Sequence, residues 1–302
     1  MADRGYLELV NGAVRLPTAA RTLVRVTGAD RIEWLQGQTT QDVASMSPGD
    51  FREACLCEPT GQIRAVIGIQ VRESEALVTM DGSAARVLLD LAERTVFMED
   101  VRVSAMPEDW SSLSLAGPQA ESLFAEYGRE GKDVVSVPDL RFGRGTEFFG
   151  PDLRAAEERF PKLSDDEFES ARIEFGVPDE SRELSRRLLP PELGPNFDAR
   201  HVHYQKGCYT GQEVLMRIHA RGHTNRTWVG LVLEAPCAHQ DSISSTHRER
   251  AGTITSCAVS PEFGPIAAAL LHNDAAQPGA TVTIRTANGD VGGVVRQLPL
   301  RS

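Results

Sequence analysis

Residues 206–213 have the sequence Lys206-Gly207-Cys208-Tyr209-Thr210-Gly211-Gln212-Glu213. This stretch places a thiol, an ammonium group and two glycines beside a predicted helix start. Thr210 and Glu213 have the spacing of a capping box, in which each side chain binds the backbone N–H of the other residue. We therefore predict a helix that begins here and ends near Gly222.

Cys208 would lie just outside the positive end of that helix, with Lys206 two residues away. Both surroundings favour the thiolate and lower the pKa of a cysteine from about 8.5. The stretch thus predicts a reactive sulfur, with Cys208 and Lys206 as the candidate catalytic residues. The same residues also fit a partly buried cysteine in a tight loop.

Composition and charge limit the class of protein. The 302 residues suffice for one large domain or two to three small ones, and 41% hydrophobic with 25% charged residues is typical of a soluble chain. No apolar run approaches the ~20 residues of a membrane span, and the first fifteen residues lack a signal-peptide core, so we expect a cytoplasmic location. Five cysteines, an odd count, argue against a disulfide framework.

The net charge of −11 opposes extensive nucleic-acid binding. Residues 200–226, however, contain five Lys or Arg and one Glu, a net charge of +4, which leaves −15 for the rest of the chain. Such a cationic segment suits a small anionic ligand better than a duplex. Uneven distribution of ordinary surface charge is the simpler alternative.

Hydrophobic patterning predicts an α+β fold followed by a β-barrel. The N-terminal part is expected to contain the hairpin Ile63–Val71 with Ala76–Met80, a strand over Thr95–Val103, a strand at Leu113–Leu115 and a helix over Pro118–Tyr127. Ser164 and Glu167 predict a second capping box, and Gly176 the end of that helix. Short strands are predicted at Trp228–Leu233, Gly252–Cys257, Ile266–Leu271, Thr281–Thr286 and Val291–Val295. We place the body at residues 1–224 and the barrel at residues 225–302.

Several motifs together resemble one family. KGCYTGQE (206–213) is similar to the signature of the YgfZ family of folate-binding proteins, which are relatives of the glycine cleavage T-protein, an aminomethyltransferase. Further similar segments are LQGQTTQDV (35–43), RIEFGVP (172–178), LPPE (189–192) and GTITS (252–256). They occur in the family order and extend over nearly the whole chain. The resemblance implies a T-protein-like folate-binding body ahead of a small C-terminal barrel.

The resemblance also implies tetrahydrofolate, or a derivative, as the cofactor. Glu174 matches the glutamate that accepts hydrogen bonds from the pterin ring in T-proteins, and Arg226 would meet the glutamyl carboxylates. Tyr209 and Gln212 of the signature are further candidate folate-binding residues. Independently of the resemblance, Glu174 stands in the last turn of a predicted helix, where an acid destabilises the helix by about 0.3–1 kcal/mol. Unfavourable local choices of this kind are common at functional sites. A surface salt bridge with Arg172 is the structural alternative.

One departure argues against the T-protein reaction. Ala65 and Val66 stand where T-proteins carry an aspartate pair, and neither side chain can exchange a proton or stabilise a cationic iminium. No metal site is predicted: a zinc site at His201, His203, His219 and His223 is disfavoured because Gly222 interrupts the helix. Cys55 and Cys57 are expected in the core, and Cys237 and Cys257 in barrel strands or turns without ligand spacing.

The sequence therefore predicts a folate-binding accessory protein of iron–sulfur cluster assembly or repair, including cluster enzymes that modify tRNA. Its expected partners are folate and iron–sulfur proteins or assembly factors, without a membrane and without direct nucleic-acid binding. Two alternatives stay open: a folate-dependent one-carbon transferase with another acceptor, and a tRNA-binding module that uses the cationic segment.

Overall fold

The computed structural model describes residues 4–17, 21–120, 122, 134–151, 153, 157–222 and 224–301. The chain folds into two compact units. The first, here called the sheet unit, consists of Glu8–Lys162 and Ala199–Met216. The second, the barrel unit, consists of Met1–Leu7, Leu163–Asp198 and Arg217–Ser302.

The described helices and strands are numbered along the chain. The helices are α1 (Arg4–Asn11), α2 (Arg31–Gln38), α3 (Ala85–Thr95), α4 (Asp165–Glu174), α5 (Pro195–His201) and α6 (Gln212–Arg221). The strands of the sheet unit are β1 (Val14–Arg15), β2 (Arg21–Thr27), β3 (Phe51–Cys57), β4 (Ile63–Val71), β5 (Glu75–Asp81), β6 (Arg102–Ala105), β7 (Trp110–Ala116), β8 (Val135–Pro138) and β9 (Gly145–Pro151). Those of the barrel unit are β10 (Arg226–Leu233), β11 (Ser242–Ser245), β12 (Arg248–Ser260), β13 (Gly264–His272), β14 (Thr281–Thr286) and β15 (Gly289–Arg296). None of these helices combines the length and the apolar character that crossing a bilayer demands.

A five-stranded antiparallel sheet with the order β3-β4-β5-β2-β6 forms the main core of the sheet unit. The predicted hairpin is confirmed: β4 pairs with β5, with Ile69 opposite Val78. Both side chains are buried in one cluster with Leu88 of α3. The abundance of β-branched residues in these strands, with a polar break at residues 72–75, is what indicated the hairpin.

The strand predicted over Thr95–Val103 is wrong at its beginning. Helix α3 continues to Thr95, and the strand begins only at Arg102. Between them the Glu99 carboxylate accepts hydrogen bonds from the backbone N–H groups of Phe97 (2.9 Å) and Met98 (3.0 Å). This local turn leaves Phe97 and Met98 exposed, although their apolar character is typical of a strand.

A second, four-stranded sheet has the order β1-β7-β9-β8. It contains the predicted strand Leu113–Leu115, within β7, and both leucines are buried with Phe148 of β9. The helix predicted over Pro118–Tyr127 lies largely outside the described residues.

The C-terminal strands close into a barrel with the order β10-β13-β12-β11-β14-β15. All five predicted strands are present. The prediction missed β11, because Ser242–Ser245 offers Ile243 as its single apolar residue. That side chain is buried in the barrel core, and β11 pairs with β12 on one side and β14 on the other.

Helix α4 packs against β12 in the barrel unit. Its predicted capping box is confirmed: the Ser164 hydroxyl accepts from the Glu167 N–H (3.2 Å), and Glu167 accepts from the Ser164 N–H (2.7 Å). The helix ends at Glu174, and Gly176 follows with φ +67°, a conformation that favours glycine.

Candidate functional site

The segment of residues 206–213, here called the thiol segment, lies in the sheet unit and leads into α6. The predicted helix is confirmed, but it begins one residue later than a Thr210 cap requires. The Gly211 carbonyl accepts the first helical hydrogen bond, from Leu215 (3.5 Å), and Gly211 has φ +86°. Gly207 also has a positive φ, +95°. Between the two glycines Cys208 is exposed, as a reactive sulfur requires.

Lys206 does not project into solvent beside that sulfur. Its ammonium donates hydrogen bonds to the carbonyl oxygens of Gln36 and Thr39 (2.7 Å to Thr39), at the C-terminal end of α2. A cation there neutralises the negative end of the helix dipole. Burial lowers the pKa of Lys206 to about 8, against the opposing effect of the Asp42 carboxylate. Its nitrogen also lies 4.8 Å from the ring centroid of Tyr209.

Gln36 and Thr40, within the segment similar to LQ-G-Q-T-x-D-V, fix the chain that precedes Cys208. Gln36 Nε2 donates to the Lys206 carbonyl (2.7 Å), and Thr40 Oγ1 donates to the His201 carbonyl (2.6 Å). The Gly37 carbonyl accepts from the Thr210 N–H (3.2 Å). The two most distinctive motifs of the sequence are therefore bound directly to each other. The sequence identified both motifs, but not this interaction.

Gly211 is required by a close backbone approach. A Cβ atom at this position would lie 2.6 Å from the Glu58 carbonyl oxygen and 3.0 Å from Gly61 Cα. At Gly207 a Cβ atom would meet nothing within 4 Å. Glycine is thus favoured at Gly207 by its positive φ alone. At Gly211 it is required both by the positive φ and by the nearby backbone atoms.

The predicted folate-binding residues Tyr209 and Gln212 belong to the same segment. Tyr209 is buried beneath Lys206, and its carbonyl accepts from the N–H of Gln212, the first residue of α6 (3.2 Å). The structure therefore brings Lys206, Cys208, Tyr209 and Gln212 together in the sheet unit. The two other predicted residues, Glu174 and Arg226, belong to the barrel unit.

Glu174 is fully buried at the end of α4. Its carboxylate accepts hydrogen bonds from Tyr6 Oη (2.6 Å) and Ser170 Oγ (2.9 Å). Arg301 Nε lies 3.0 Å from the same carboxylate, and its guanidinium lies 5.5 Å from the ring centroid of Tyr6. Burial, and the hydrogen bond to Glu174, raise the pKa of Tyr6 above its ordinary value.

Arg172 does not compensate Glu174, as the structural alternative supposed. Its guanidinium pairs with Glu169 (2.7 Å) and Glu183 (3.1 Å) and donates to Ser256 Oγ (2.5 Å). The compensation for Glu174 comes from Tyr6, Ser170 and Arg301 instead. Of these three residues, only Ser170 is near Glu174 in the sequence.

Arg226 forms an ion pair with Glu192 in the barrel unit, with Nε 2.7 Å from Oε1. The glutamate lies in the segment similar to LPPE and is buried, whereas the arginine side chain is 39% exposed. The guanidinium of Arg226 is therefore partly neutralised while one side stays open to solvent.

Sequence reasoning missed a group of six charged residues in the sheet unit, of which the three carboxylates, Glu53, Asp139 and Glu147, are buried. Glu147 pairs with Arg21 (2.7 Å) and Arg141 (3.1 Å), Arg141 pairs with Asp139 (2.8 Å), and Arg200 pairs with Glu53. Burial raises the pKa of Glu53 in spite of Arg200. For Asp139, burial acts in the same direction, but the Arg141 guanidinium outweighs it and lowers the pKa. The pairs of Glu147 with Arg21 and of Arg200 with Glu53 join distant parts of the chain, so no local pattern marks them. The pairs of Arg141 with Asp139 and Glu147 are close in sequence.

The remaining predicted positions have simple surroundings. Cys55 and Cys57 are buried in β3, as expected, and burial raises the pKa of Cys57 to about 12. Ala65 is buried in the sheet core, and Val66 is half-buried on the same strand. Within the described ranges no three His, Cys, Asp or Glu side chains are grouped to hold a metal ion; His223 lies outside those ranges.

Comparison with known proteins identifies the family. Residues 19–149 match the model of the GCVT N-terminal domain, and residues 226–300 match that of the glycine cleavage T-protein C-terminal barrel domain. The chain is 31% identical over 241 residues to the tRNA-modifying protein YgfZ of Yersinia enterocolitica, covering 72% of each chain. This chain belongs to the YgfZ family.

Other comparisons agree with membership of the YgfZ family. The tRNA-modifying protein YgfZ of Shigella dysenteriae is 27% identical over 306 residues, which cover 90% of this chain and 91% of the relative. The crystal structure of the glycine cleavage system aminomethyltransferase T from Bartonella henselae superposes with a TM-score of 0.83 at 18% identity. It covers 98% of this chain and 88% of that one, and it shows the shared fold.

The close approach at Gly211 makes a testable difference between the two glycines of this YgfZ-family chain. We expect Gly211→Ala to lower the free energy of unfolding by about 3 kcal/mol, because positive φ and a backbone clash both oppose the methyl group. Gly207→Ala, with open space, should cost only about 1 kcal/mol. Urea denaturation of both variants measures the difference; equal losses would contradict the packing described here.

The buried ammonium of Lys206 predicts a pH dependence of stability. Between its folded pKa of about 8 and its unfolded pKa of about 10.4, the unfolded state binds more protons, so stability rises with pH. Relative to a Lys206→Met variant, the wild-type free energy of unfolding should therefore increase by roughly 2 kcal/mol from pH 7.5 to 10. Lys162→Met, at an exposed lysine, is the control and should show no such increase. A flat difference for Lys206 would contradict the buried ammonium.

Proposed function

We propose that this chain binds folate, as tetrahydrofolate or a derivative, and supports the assembly or repair of iron–sulfur clusters, including those of enzymes that modify tRNA. Residues 1–224 would form the folate-binding body, in the cytoplasm. The single observation that carries the proposal is an exposed cysteine on a segment whose flanking residues are fixed by hydrogen bonds to α2 and the residue after it.

The thiol segment supports the accessory role because its cysteine is exposed while the residues on either side are held by hydrogen bonds. Cys208 is reachable, while Lys206 and Thr210 on either side are bound to the end of α2. A sulfur held in this way can meet a protein-bound cluster or another thiol without the segment having to become ordered at each encounter. The hydrogen bonds of Lys206 go to the carbonyl groups of Gln36 and Thr39, so the role of this ammonium is to hold the segment that carries Cys208.

Glu174 is chemically suited to a pterin, with one condition. The amino and ring N–H groups of a pterin form the same kind of donor edge as a guanidinium, and the Arg301 guanidinium already lies against this carboxylate. A pterin would therefore bind by replacing Arg301, while Tyr6 and Ser170 keep their hydrogen bonds. Arg226, open on one side, would attract the glutamyl carboxylates of folate.

The one-carbon transferase alternative is weakened by Ala65 and Val66. Ala65 is enclosed in the sheet core, and neither position offers a carboxylate for a cationic intermediate. Turnover of methylene-tetrahydrofolate to a formaldehyde equivalent would favour this alternative.

The tRNA-binding alternative is weakened by the pairing of the cationic segment. Arg200 and Arg226 pair with Glu53 and Glu192, which lie outside residues 200–226, and Lys206 is buried. The local charge of +4 in the sequence is therefore reduced in the fold. Salt-sensitive affinity for tRNA would favour this alternative.

Folate binding at Glu174 can be measured by calorimetric titration of the full chain with tetrahydrofolate. We expect Glu174→Gln to weaken binding about tenfold, because a charge-assisted acceptor is lost. Arg301→Ala should instead tighten binding several-fold, because the competing guanidinium is removed.

Glu249→Gln, at an exposed glutamate, is the matched control and should bind like the wild type. Thermal melting of each variant shows whether it is folded. Unchanged affinity in folded Glu174→Gln would reject this carboxylate as the pterin site, and unchanged affinity in Arg301→Ala would reject the competition.

The role of Cys208 can be tested by complementation in cells that lack this protein. We expect Cys208→Ala to lose the activity of cluster-dependent tRNA-modifying enzymes, while the purified variant keeps its folate affinity. Gln205→Ala, a neighbouring exposed residue, should complement fully. Full complementation by Cys208→Ala would show that the thiol is not needed.

A further inference from the structure

The carboxamide of Gln36, in α2, uses its full hydrogen-bonding capacity. Its oxygen Oε1 accepts from the backbone N–H groups of Val43 (2.7 Å) and Ala44 (3.0 Å). Its nitrogen Nε2 donates to the Lys206 carbonyl (2.7 Å) and to Asp42 Oδ1 (3.0 Å). A primary amide has two acceptor lone pairs and two N–H donors, so all four are satisfied. The amide therefore joins the chain that follows α2 to the thiol segment.

These partners fix the orientation of the Gln36 amide. If its oxygen and nitrogen were exchanged, the NH2 group would face two N–H donors and the oxygen would face two acceptors. A carboxylate at this position could still accept from Val43 and Ala44, but it could not donate to the Lys206 carbonyl, and it would repel the Asp42 carboxylate. The bond to the thiol segment thus requires a side-chain N–H donor, and polarity alone is not enough.

Gln36 also contacts Lys206 through its main chain. Lys206 Nζ donates to the Gln36 carbonyl, while Gln36 Nε2 donates to the Lys206 carbonyl. The two hydrogen bonds are reciprocal, and they join the same two residues. The main chain and the ammonium of Lys206 are therefore both held by one residue of α2.

The backbone of Cys208 lies between two hydrogen bonds to consecutive residues of α2. Before the cysteine, the Lys206 carbonyl accepts from Gln36, and after it the Thr210 N–H donates to the Gly37 carbonyl (3.2 Å). The cysteine itself is exposed. Its position relative to α2 therefore depends on these two bonds.

Gly207 adds no packing that could replace the bond from Gln36. A Cβ atom at this position would meet nothing within 4 Å, and the residue has φ +95°. Glycine is the residue with the greatest backbone freedom, so the chain between Lys206 and Cys208 is easily rotated unless its ends are fixed. The Gln36 side chain fixes the first of these ends.

We propose that Gln36 is a positioning residue for Cys208, whose side-chain N–H groups hold the exposed sulfur where it can meet a protein-bound cluster or thiol. This proposal rests on the proposed function of Cys208. Gln36 acts through the Lys206 carbonyl and not on the sulfur itself. A target that is fixed within another protein cannot follow a displaced sulfur, whereas a small reagent in solution can reach it in any orientation.

Amide hydrogen exchange, measured by NMR on the full chain, tests the two halves of the carboxamide separately. Gln36→Glu keeps the acceptor and loses the donors, so the Thr210 amide should exchange about tenfold faster than in the wild type, while the Ala44 amide keeps its protection. Gln36→Met has neither group, so both amides should exchange faster. Glu33→Gln, at the exposed residue of α2, is the matched control and should leave both rates unchanged.

Two further measurements separate positioning from a loss of folding or of the thiol. In Gln36→Glu, the amides of β4 and β5 should exchange at the wild-type rate, and iodoacetamide should alkylate Cys208 at the wild-type rate. In cells that lack this protein, Gln36→Glu should reduce the activity of cluster-dependent tRNA-modifying enzymes as far as Cys208→Ala does. Glu33→Gln should complement fully.

Unchanged exchange at Thr210 in Gln36→Glu would overturn the proposal, whatever the result in cells. Faster exchange throughout β4 and β5 would show that Gln36 supports the whole fold, and would equally overturn it. So would full complementation by a Gln36→Glu variant whose Thr210 amide exchanges faster, because the position of the sulfur would then not matter. Full complementation by Cys208→Ala would instead reject the proposed function, while the exchange at Thr210 would still decide whether Gln36 holds the segment.

Discussion

The buried ammonium of Lys206 is the interaction on which the thiol segment depends. It joins residues far apart in the sequence by donating to carbonyl groups at the end of α2. Burying the charge costs free energy, which the lowered pKa records, and the carbonyl oxygens, the helix dipole and the Tyr209 ring offset part of that cost. These contacts hold the backbone on each side of the exposed Cys208 in place.

Charged residues elsewhere in the chain follow the same rule of distant pairing. Glu174 is balanced by Arg301, Arg226 by Glu192, and Arg200 by Glu53. Each pair includes a buried carboxylate, so the loss of a single partner leaves an uncompensated charge. A count of charges within a sequence window therefore overstated the cationic character of residues 200–226.

Local periodicity predicted the fold well. It gave the β4–β5 hairpin, helix α4 with its capping box, and five strands of the barrel, because each depends on residues close in sequence. It failed where local composition misleads: the exposed Phe97 and Met98 resemble a strand, and the serine-rich β11 does not. The first region is held by the local turn in which Glu99 accepts from Phe97 and Met98. The second, β11, is held by pairing with β12 and β14 and by the burial of Ile243.

The candidate site was predictable only as a set of residue types. The sequence pointed to Cys208 and to a helix after it, but it assigned Lys206 to the sulfur, whereas the structure turns that side chain toward α2. Likewise, Glu174 stood out as an acid at the wrong end of a helix. The residues that make this acid acceptable, Tyr6 and Arg301, lie near opposite ends of the chain.

The ammonium of Lys206 contacts main-chain oxygens at the end of α2. This contact therefore depends on the position at which the helix ends and not on the identity of its side chains. It places no constraint on Glu33, the exposed residue of α2. It does constrain the length of the helix: one residue inserted or deleted would rotate the terminal carbonyls by about 100° and withdraw them from the lysine. The hydrogen bonds of Lys206 thus require the eight-residue length of α2.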